Sequence, residues 1–402
     1  MSTIIEKISI AFLMQESEMA GIEYNSLALA ERVDRSTFPI TFICPREGKL
    51  TEKCRQARLP YCIVSRPRFF STSFQFGEKY IVFNPFALAY NFLAVIYAAI
   101  RYHRFLRKEK FMIVCTKGLM ANFYGSLACM GVAASCIWDM QEIIDKRRAC
   151  GVVRWCVNMW VYFFVEHVIV GSGAIREQFY KFLWKKISLV YNGIPLDIFN
   201  PETADRQSVR SEFSIIEKQI VIAHIARFTY WKGQLDFIRA ARIIQDRHPG
   251  VKFFLVGGTI FETSRCKELI IEEIKKLHLE TDIILLGFRE DLPRVLAAID
   301  IFVHSSIEPE GCPLTLIYAM AMEKAIVATS VPGTSELINV DSGIVVPPGQ
   351  PSALAAAIET FIGDEGLMKR MGRNAHRRAN EFFSLEKYAA QSQNVFCHIR
   401  NA

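Results

Sequence analysis

The sequence predicts an α/β fold with two domains, each built on a doubly wound parallel sheet. Short apolar segments of strand length alternate with segments of helix length through both halves of the chain, which is typical of parallel sheets covered by helices. The alternation breaks once, at residues 190–201, where an Asn-Gly pair and two prolines interrupt regular structure. With 402 residues, the chain is long enough for two ordinary domains with large buried cores.

The first half of the chain contains six apolar segments with the length and composition of buried strands. A helix opens at Gly21, directly after the first of them, and is predicted to reach about residue 33. We expect a first domain over residues 1–200, with strands at residues 8–14, 40–44, 61–64, 111–115, 135–138 and 168–170.

The second half starts the same alternation afresh after the break. We expect a second domain over residues 201–384, with strands at residues 219–225, 253–256, 282–286, 301–304 and 325–329. Two successive β-α-β runs predict two Rossmann-like domains that face a cleft. A last helix begins at about residue 385 and could pack on either domain.

The composition is that of a globular protein. Hydrophobic residues make up 51% of the chain and charged residues 22%, which excludes an intrinsically disordered protein. The eleven cysteines are scattered and form no Cys-x-x-Cys pair, so we expect neither a disulfide framework nor a metal site, as in a reducing cytosol. No signal peptide is expected, because Lys7 is followed by a short strand without a cleavage site.

Charge is unevenly distributed in the first half. Residues 81–100 carry no charge, and a strongly basic segment follows at 101–110; a second, aromatic stretch at 155–165 lies downstream of the basic residues 146–148. Apolar helices bordered by Lys and Arg suit the surface of an anionic membrane, so we expect peripheral membrane contact. Two other interpretations stay open, namely a core helix with a solvated basic end and a single membrane span.

Residues 301–338 are the segment that says most about function. They predict, in order, a strand at 301–304, a loop with Glu308 and Glu310, a helix at about 314–322, a strand at 325–329, and a Pro-Gly turn before Glu336. In parallel sheets ligands bind at the carboxyl ends of the strands, and a helix N-terminus there offers free N–H groups to hydroxyl-rich or anionic ligands. A purely structural βαβ unit with a solvated acidic loop would show the same pattern.

Particular residues in this segment resemble a known family. Glu310-Gly-Cys-Pro-Leu314 and Ala319-Met-Ala321, closed by Gly333 and Glu336, are similar to the C-terminal motif of retaining glycosyltransferase family 4. These enzymes, the glycosyl transferases group 1, have the GT-B fold of two Rossmann-like domains. The resemblance implies that Glu310 contacts the donor sugar and that the donor also meets Pro313, Leu314, Thr315, Gly333 and Glu336.

One position departs from the family pattern. Family members carry a second Glu eight residues after the first, which holds the nucleotide ribose, whereas this chain has Tyr318 there. A phenol can hydrogen-bond a ribose hydroxyl, but it lacks the charged, bidentate acceptor of a carboxylate. We therefore expect Tyr318 at the donor and an altered donor affinity or identity.

A second motif follows the first strand of the second half. Residues 226–233 resemble the family pattern G-R-x-x-x-x-K-G, with Arg227 and Lys232 in the matching positions and Ala226 in place of the first glycine. Two cations at a strand end can neutralise the charge that builds up on a departing nucleoside diphosphate. Alone, the motif would describe two solvated bases before a helix; together with the first motif it predicts catalytic roles for Arg227, Lys232 and Glu310.

Three weaker motifs concern the first half. Gly21 stands where the family has a glycine that lets the backbone approach the donor phosphates, and residues 192–199 resemble the family's interdomain linker. Gln141 takes the place of a histidine that contacts the donor sugar in many relatives, so it cannot act as a general base. Asp139 and Glu142, beside it, are candidates for contact with the acceptor or the sugar, or are ordinary acids at a strand end.

His304 ends a strand beside the acidic loop, and we favour a hydrogen-bonded core histidine there over a catalytic one. No other histidine has metal-ligand spacing, and family members transfer sugars without a metal. The resemblance implies that the terminal helix crosses back to the first domain and that a nucleotide-sugar, a UDP- or GDP-sugar, is the co-substrate, with no resident cofactor.

The resemblance implies a retaining glycosyltransferase that acts on a glycan or lipid-linked acceptor in cell-surface polysaccharide or lipopolysaccharide biosynthesis. The basic first domain predicts a cytoplasmic location at the inner face of the membrane, and nothing predicts nucleic-acid binding. Two alternatives stay open: a GT-B enzyme of another class, such as a nucleotide-sugar epimerase, and a non-catalytic relative that binds glycan or lipid.

Overall fold

The computed structural model describes residues 7–76, 80–144, 151–258 and 265–401. Its contacts divide the chain into two compact units. The first unit contains Met1–Gly193 together with Leu385–Ala402, and the second contains Ile194–Ser384.

The first unit is built on a parallel sheet of seven strands, in the order β3-β2-β1-β6-β7-β8-β9. A separate antiparallel hairpin, β4-β5, precedes the long third helix. The strands are β1 (Ile10–Met14), β2 (Ile40–Cys44), β3 (Tyr61–Ile63), β4 (Ser73–Phe76), β5 (Tyr80–Phe83), β6 (Ile113–Lys117), β7 (Ser135–Met140), β8 (His167–Val170) and β9 (Ile187–Leu189).

Helices connect these strands in the right order for a doubly wound sheet. They are α1 (Gly21–Arg32), α2 (Lys49–Gln56), α3 (Pro85–Leu106), α4 (Leu119–Cys129), α5 (Gly151–Phe164) and α6 (Gly173–Arg176), with a 3-10 helix at Lys181–Lys186. Residues of α3, α4 and α5 share one apolar core on one face of the sheet, whereas α1 and α2 pack into a second core on the other face.

The second unit is built on a parallel sheet of six strands, in the order β12-β11-β10-β13-β14-β15. Its strands are β10 (Val221–Ile225), β11 (Lys252–Val256), β12 (Ile283–Gly287), β13 (Ile301–His304), β14 (Ala325–Thr329) and β15 (Ile344–Val346). Its helices are α7 (Arg206–Glu212), α8 (Gln234–Arg247), α9 (Arg265–Lys276), α10 (Leu292–Ala298), α11 (Leu314–Ala321), α12 (Pro351–Gly363) and α13 (Glu365–Phe382), with a 3-10 helix at Tyr230–Lys232.

The chain then returns to the first unit as α14 (Leu385–Asn401), which packs against α1. Tyr388 and Phe396 of α14 are buried in the same core as Leu29 of α1 and Phe12 of β1.

Both sheets have the strand order of the Rossmann fold, so each has a topological switch point between two central strands. The switch lies between β1 and β6 in the first unit and between β10 and β13 in the second. Loops that leave the carboxyl ends of these strands diverge to opposite faces of the sheet and leave a crevice for ligands. The predicted α/β class with two doubly wound parallel sheets is confirmed.

Helix α3 begins within the uncharged segment 81–100, with Asn84 as its N-cap residue and Pro85 as its first residue. The Asn84 side chain accepts a hydrogen bond from Ala87 N at 3.1 Å, and Pro85 stands at the first helical position, where no N–H is required. Asn91 is buried and pairs twice with the backbone of Phe70, at 2.7 and 3.0 Å.

Within the described residues, α3 is the one helix that is long and apolar enough to cross a membrane. Only 39% of its most apolar 18-residue window is buried. The basic residues 146–148, which contribute to the expectation of membrane contact, lie outside the described residues.

Candidate functional site

The switch point of the second unit brings together the two motifs found in the sequence. Strands β10 and β13 are neighbours, and the loops that follow them carry Arg227 to Lys232 and Ser305 to Glu310. The two loops contact each other through the backbone, since Ile307 N donates to Trp231 O at 2.8 Å. Residues 78 positions apart in sequence thus meet at one edge of the sheet.

Lys232 and Glu310 form an ion pair at this edge, with 2.5 Å between Nζ and Oε2. The second carboxylate oxygen, Oε1, lies 2.8 Å from His304 Nε2 and accepts a hydrogen bond from the Ser306 hydroxyl. Trp231 lies beneath the ammonium group, 4.4 Å from its ring centroid to Nζ. The carboxylate is therefore fixed from three sides.

Burial and charge set the protonation of this pair. The Glu310 side chain is 5% exposed and that of Lys232 11% exposed, so the lysine retains more contact with solvent than the carboxylate. Burial alone would raise the pKa of the Glu310 carboxyl, but Lys232 and His304 outweigh it and hold this pKa well below its usual range. Burial lowers the pKa of Lys232 despite the opposing attraction of Glu310.

Two glycines permit the close approach of the loops. Gly233 has φ +71°, and a Cβ there would lie 1.9 Å from Ser305 O; Gly333 has φ +83°, and a Cβ there would lie 1.8 Å from Glu310 O. Both values of φ fall in the left-handed region, which glycine adopts without steric cost. These two positions thus hold Lys232 and the Glu310 backbone in place.

Helix α11 begins directly after the Glu310 loop. Pro313 is its N-cap residue, and the partly exposed Leu314 and Thr315 form the first turn, where backbone N–H groups lack partners within the helix. Tyr318 lies one turn further on, and its ring stacks on Phe199 with centroids 4.0 Å apart and planes 3° from parallel. The position that carries a carboxylate in the family is therefore held in an aromatic stack.

The remaining predicted donor residues of the second unit differ in exposure. Arg227 is exposed, while its carbonyl oxygen accepts a hydrogen bond from Gln234 Nε2 at 2.6 Å. Glu336 is partly buried, and its carbonyl oxygen accepts from Arg378 at 3.0 Å. The structure brings Lys232, Glu310 and Gly333 into contact, and their predicted roles stay predictions.

In the first unit, Asp139 lies in strand β7 and is almost completely buried. Its Oδ2 atom is ion-paired with Lys117 of the neighbouring strand, and its Oδ1 atom accepts a hydrogen bond from Gln141 Nε2 at 2.5 Å. Glu142 is exposed. Of the three side chains predicted to contact acceptor or sugar, Asp139 thus already has both oxygens occupied within the protein.

Gly21 is exposed and is the first residue of helix α1. Two residues later, the buried Glu23 accepts a hydrogen bond from Ala20 N at 3.1 Å, which caps the start of the helix. Burial raises the pKa of Glu23 to about 7; backbone hydrogen bonds oppose this rise, and the carboxylates of Glu16 and Glu142 add to it.

Two residues that contact the predicted site residues, His304 and Lys117, were not themselves predicted to be functional. His304 was favoured as a hydrogen-bonded core histidine, and it is indeed buried, but its partner is the Glu310 carboxylate. The signal was its position at a strand end beside the acidic loop. Lys117 gave little signal, because the predicted strand ended two residues earlier, at Cys115.

A family model matches the region that contains this site. The model for glycosyl transferases group 1 matches residues 205–378, from α7 to the end of α13. The second unit thus carries the domain of the glycosyl transferases group 1 over residues 205–378. The family named by its motifs is thereby confirmed.

Two relatives in sequence differ in how much of the chain they match. N-acetyl-alpha-D-glucosaminyl L-malate synthase of Bacillus anthracis is 29% identical over 218 residues, which is 54% of this chain and 54% of the synthase. UDP-Gal:alpha-D-GlcNAc-diphosphoundecaprenol alpha-1,3-galactosyltransferase of Escherichia coli is 21% identical over 400 residues, 97% of each chain. The first match thus spans about half of that relative's length.

Among solved structures, HepE of Anabaena, in complex with UDP and glucose, has a similar fold. The alignment covers 96% of this chain and 99% of HepE, with a TM-score of 0.80 and 22% identity. At this identity the likeness concerns the fold, which is the GT-B fold expected for a group 1 glycosyltransferase.

Proposed function

We propose that this group 1 glycosyltransferase moves a sugar from a UDP-sugar to a lipid-linked glycan acceptor, with retention, in cell-surface polysaccharide biosynthesis. The observation that carries the proposal is the Lys232–Glu310 pair at the switch point of the second unit, beside the N-terminus of α11. A fixed cation, a fixed carboxylate and free backbone N–H groups are what a sugar joined to a diphosphate requires.

Each group has a separate role in this proposal. Lys232 and the exposed Arg227 stabilise the charge that develops on the departing diphosphate, and the N–H groups of Leu314 and Thr315 add partial positive charge. Glu310 accepts hydrogen bonds from hydroxyls of the donor sugar. Since this carboxylate has a low pKa, it is ionised at neutral pH and acts as an acceptor.

Retention follows if the acceptor hydroxyl attacks from the same face that the diphosphate leaves. The bond from the anomeric carbon to the phosphate oxygen breaks, a bond to the acceptor oxygen forms, and the acceptor proton passes to the leaving phosphate. This route needs no protein base, which agrees with Gln141, a side chain that cannot titrate. The proposal includes no resident cofactor or metal.

The choice of UDP rests on two relatives. The name of the Escherichia coli relative gives UDP-Gal as donor and a diphosphoundecaprenol-linked sugar as acceptor, and HepE was solved with UDP and glucose. GDP-sugars, the other donors expected from the sequence, belong in the same test.

Exposed apolar side chains on the first unit also support a membrane-linked acceptor. Helix α3 exposes large apolar side chains along its length, and α5 exposes Trp155 and Phe163. Aromatic and aliphatic side chains in contact with solvent mark sites for membranes or partners. We place the protein at the inner face of the cytoplasmic membrane, in peripheral contact with anionic lipid.

The test is the melting temperature of the protein with UDP-, GDP- and ADP-sugars. A ligand that binds only the native state raises the melting temperature. We expect a rise with one class of donor and its loss in Arg227→Ala/Lys232→Ala. Arg265→Ala/Lys276→Ala, which removes two exposed cations of α9 in the same unit, is the matched control and should keep the rise.

Product analysis then tests the reaction itself. With the donor that raises the melting temperature and a lipid-linked acceptor, the product should carry the anomeric configuration of the donor, as read by NMR. An inverted product would contradict retention. Binding of the donor without any product would favour a non-catalytic role, for which the replacement of a carboxylate by Tyr318 is the specific observation.

A further inference from the structure

A groove on the first unit, away from its strand-end residues Asp139 and Gln141, combines cations with an apolar wall. It has a volume of about 500 Å³ and lies between the C-terminal part of α3 and the end of β3. Arg101, Arg104 and Lys108 line it, together with the apolar side chains of Ile63, Tyr97 and Ile100.

The groove continues an exposed stripe along α3. Phe86, Tyr90, Leu93, Tyr97 and Ile100 recur three or four residues apart, so they share one face of the helix with Arg101 and Arg104, and Lys108 follows just beyond the helix end at Leu106. Their exposure ranges from 41% for Tyr90 to 85% for Phe86. One helix face is therefore apolar over about four turns and cationic at its end.

The cations of the groove make no ion pair with a carboxylate in the part of the chain that the structure describes. Glu109 is the acidic side chain nearest to them in sequence, and it is exposed. Cations at the end of a helix are favoured by the helix dipole, which alone would explain one or two of them. It does not explain why three line a groove next to exposed tyrosine and isoleucine side chains.

We propose that this groove binds the phosphate group of an anionic membrane phospholipid. The guanidinium groups of Arg101 and Arg104 can each present two N–H donors to phosphate oxygens, and Lys108 adds a third charge. Tyr97 and Ile100 contact the glycerol and the first acyl carbons, while the apolar stripe rests in the membrane interface. This inference rests on the membrane-surface location proposed above, and it adds a defined lipid site to it.

The experiment is co-sedimentation of the full chain with sucrose-loaded vesicles, without any nucleotide. One set contains phosphatidylcholine alone, and the other contains one third phosphatidylglycerol. Arg101→Gln/Arg104→Gln removes two cations of the groove. Arg107→Gln/Lys110→Gln is the matched control, because it removes two exposed cations of the same segment that do not line the groove.

We expect the wild-type protein to prefer the vesicles with phosphatidylglycerol, and the groove variant to lose about tenfold in partition to them. The control variant should lose clearly less. Equal losses in the two variants would show diffuse attraction in place of a site and would overturn the proposal. Equal binding of the wild type to both vesicle sets would overturn the proposal as well. So would the absence of binding together with a dimer, detected by light scattering, that covers α3.

Melting temperatures of the same two variants distinguish a failure of the lipid site from a failure of the proposed reaction. The unliganded melting temperature of both variants should match the wild type, which checks folding. The rise in melting temperature with the donor sugar should persist in the groove variant, since none of its residues is in the donor site. If no donor shifts the melting temperature but the vesicle results are as expected, the proposed reaction fails and the lipid site stands.

Discussion

Each unit of the molecule contains a buried lysine–carboxylate pair, and the two pairs differ in where the chain places them. Lys117 and Asp139 lie within neighbouring strands β6 and β7, directly opposite each other, and each side chain is 2% exposed. Lys232 and Glu310 lie in loops that follow strands, and the lysine is 11% exposed. The register of the sheet fixes the partners of a pair that lies within strands, whereas a pair in loops at a switch point can meet a ligand.

The pKa of the two lysines shifts in opposite directions. Burial alone would lower the pKa of Lys117, but the attraction of Asp139 outweighs it and raises this pKa above its ordinary value. For Lys232, burial outweighs the attraction of Glu310, so its pKa falls. Lys117 also lies 4.4 Å above the ring of Phe12, which adds a favourable contact for the cation. Within the protein, attraction to the paired carboxylate thus outweighs the burial of the Lys117 charge but not that of the Lys232 charge.

The largest expected effect is on the pair inside the sheet. Lys117→Met removes the only charge we find opposite Asp139 in the described structure and leaves the carboxylate buried without compensation. We expect the free energy of unfolding to fall by about 3–5 kcal/mol. Chemical denaturation of the purified variant measures it.

Two controls accompany this variant. Lys252→Met removes a lysine that pairs with Asp282 at 3.0 Å but is 23% exposed, and it should cost about 1 kcal/mol or less. Lys117→Met/Asp139→Leu removes both charges and should recover much of the loss. A single variant as stable as Lys252→Met would mean that the pair in the sheet is not structural.

The second prediction concerns enzymatic activity and compares the carboxylates of Glu310 and Asp139. Glu310→Gln keeps the shape of the side chain but removes the charge that would accept hydrogen bonds from the sugar. The assay uses the donor that raises the melting temperature of the wild type. With this donor, we expect kcat to fall about a hundredfold to a thousandfold. A radiolabelled transfer assay measures it.

Asp139→Asn is the control for that assay, since it makes the same chemical change in the first unit. It should lower the free energy of unfolding and leave kcat within a few-fold of the wild type. If Asp139→Asn lost activity like Glu310→Gln at unchanged stability, Asp139 would contact the acceptor after all, as the sequence alone predicts.

The fold could be predicted because its strands are apolar and end abruptly. Strands β2, β13 and β14 have the predicted bounds, since each apolar run stops at a proline, a serine or a polar loop. Strands β9 and β15, by contrast, are three residues long and were not predicted. A pattern with a period of two residues is weak over so short a span, and β3, which is equally short, was predicted as part of a four-residue apolar run.

The site could be predicted as a set of residues but not as a set of contacts. The motifs identify Lys232 and Glu310 separately, while their ion pair depends on the sheet order that makes β10 and β13 neighbours. The pairing of Asp139 with Lys117 depends on register in the same way. Sequence gives no measure of which acids near strand ends have a buried cation beside them, so neither ion pair could be predicted before the sheets are assembled.

An effect that is spread over a range of pH comes from a third buried carboxylate. Glu23 in α1 is buried, and its pKa is raised to about 7 from the ordinary value of 4.5, because burial outweighs its backbone hydrogen bonds. A carboxyl with a raised pKa binds its proton more tightly in the folded state. Its contribution to stability is therefore full below pH 4.5 and is lost as the pH rises through 7.

Glu23→Gln removes this titration while it keeps the side chain's shape. The stability of the wild type relative to this variant should decline between pH 4.5 and 7, by at most about 1.4 kcal/mol per pH unit, and stay level outside that range. Urea denaturation across the pH range measures the difference. Glu31→Gln, which changes an exposed carboxyl on the same helix, is the matched control and should cost little stability, because this side chain stays in water in both states. A flat difference for Glu23→Gln would mean that a cation or water relieves its burial, and Glu23 would then resemble Asp139.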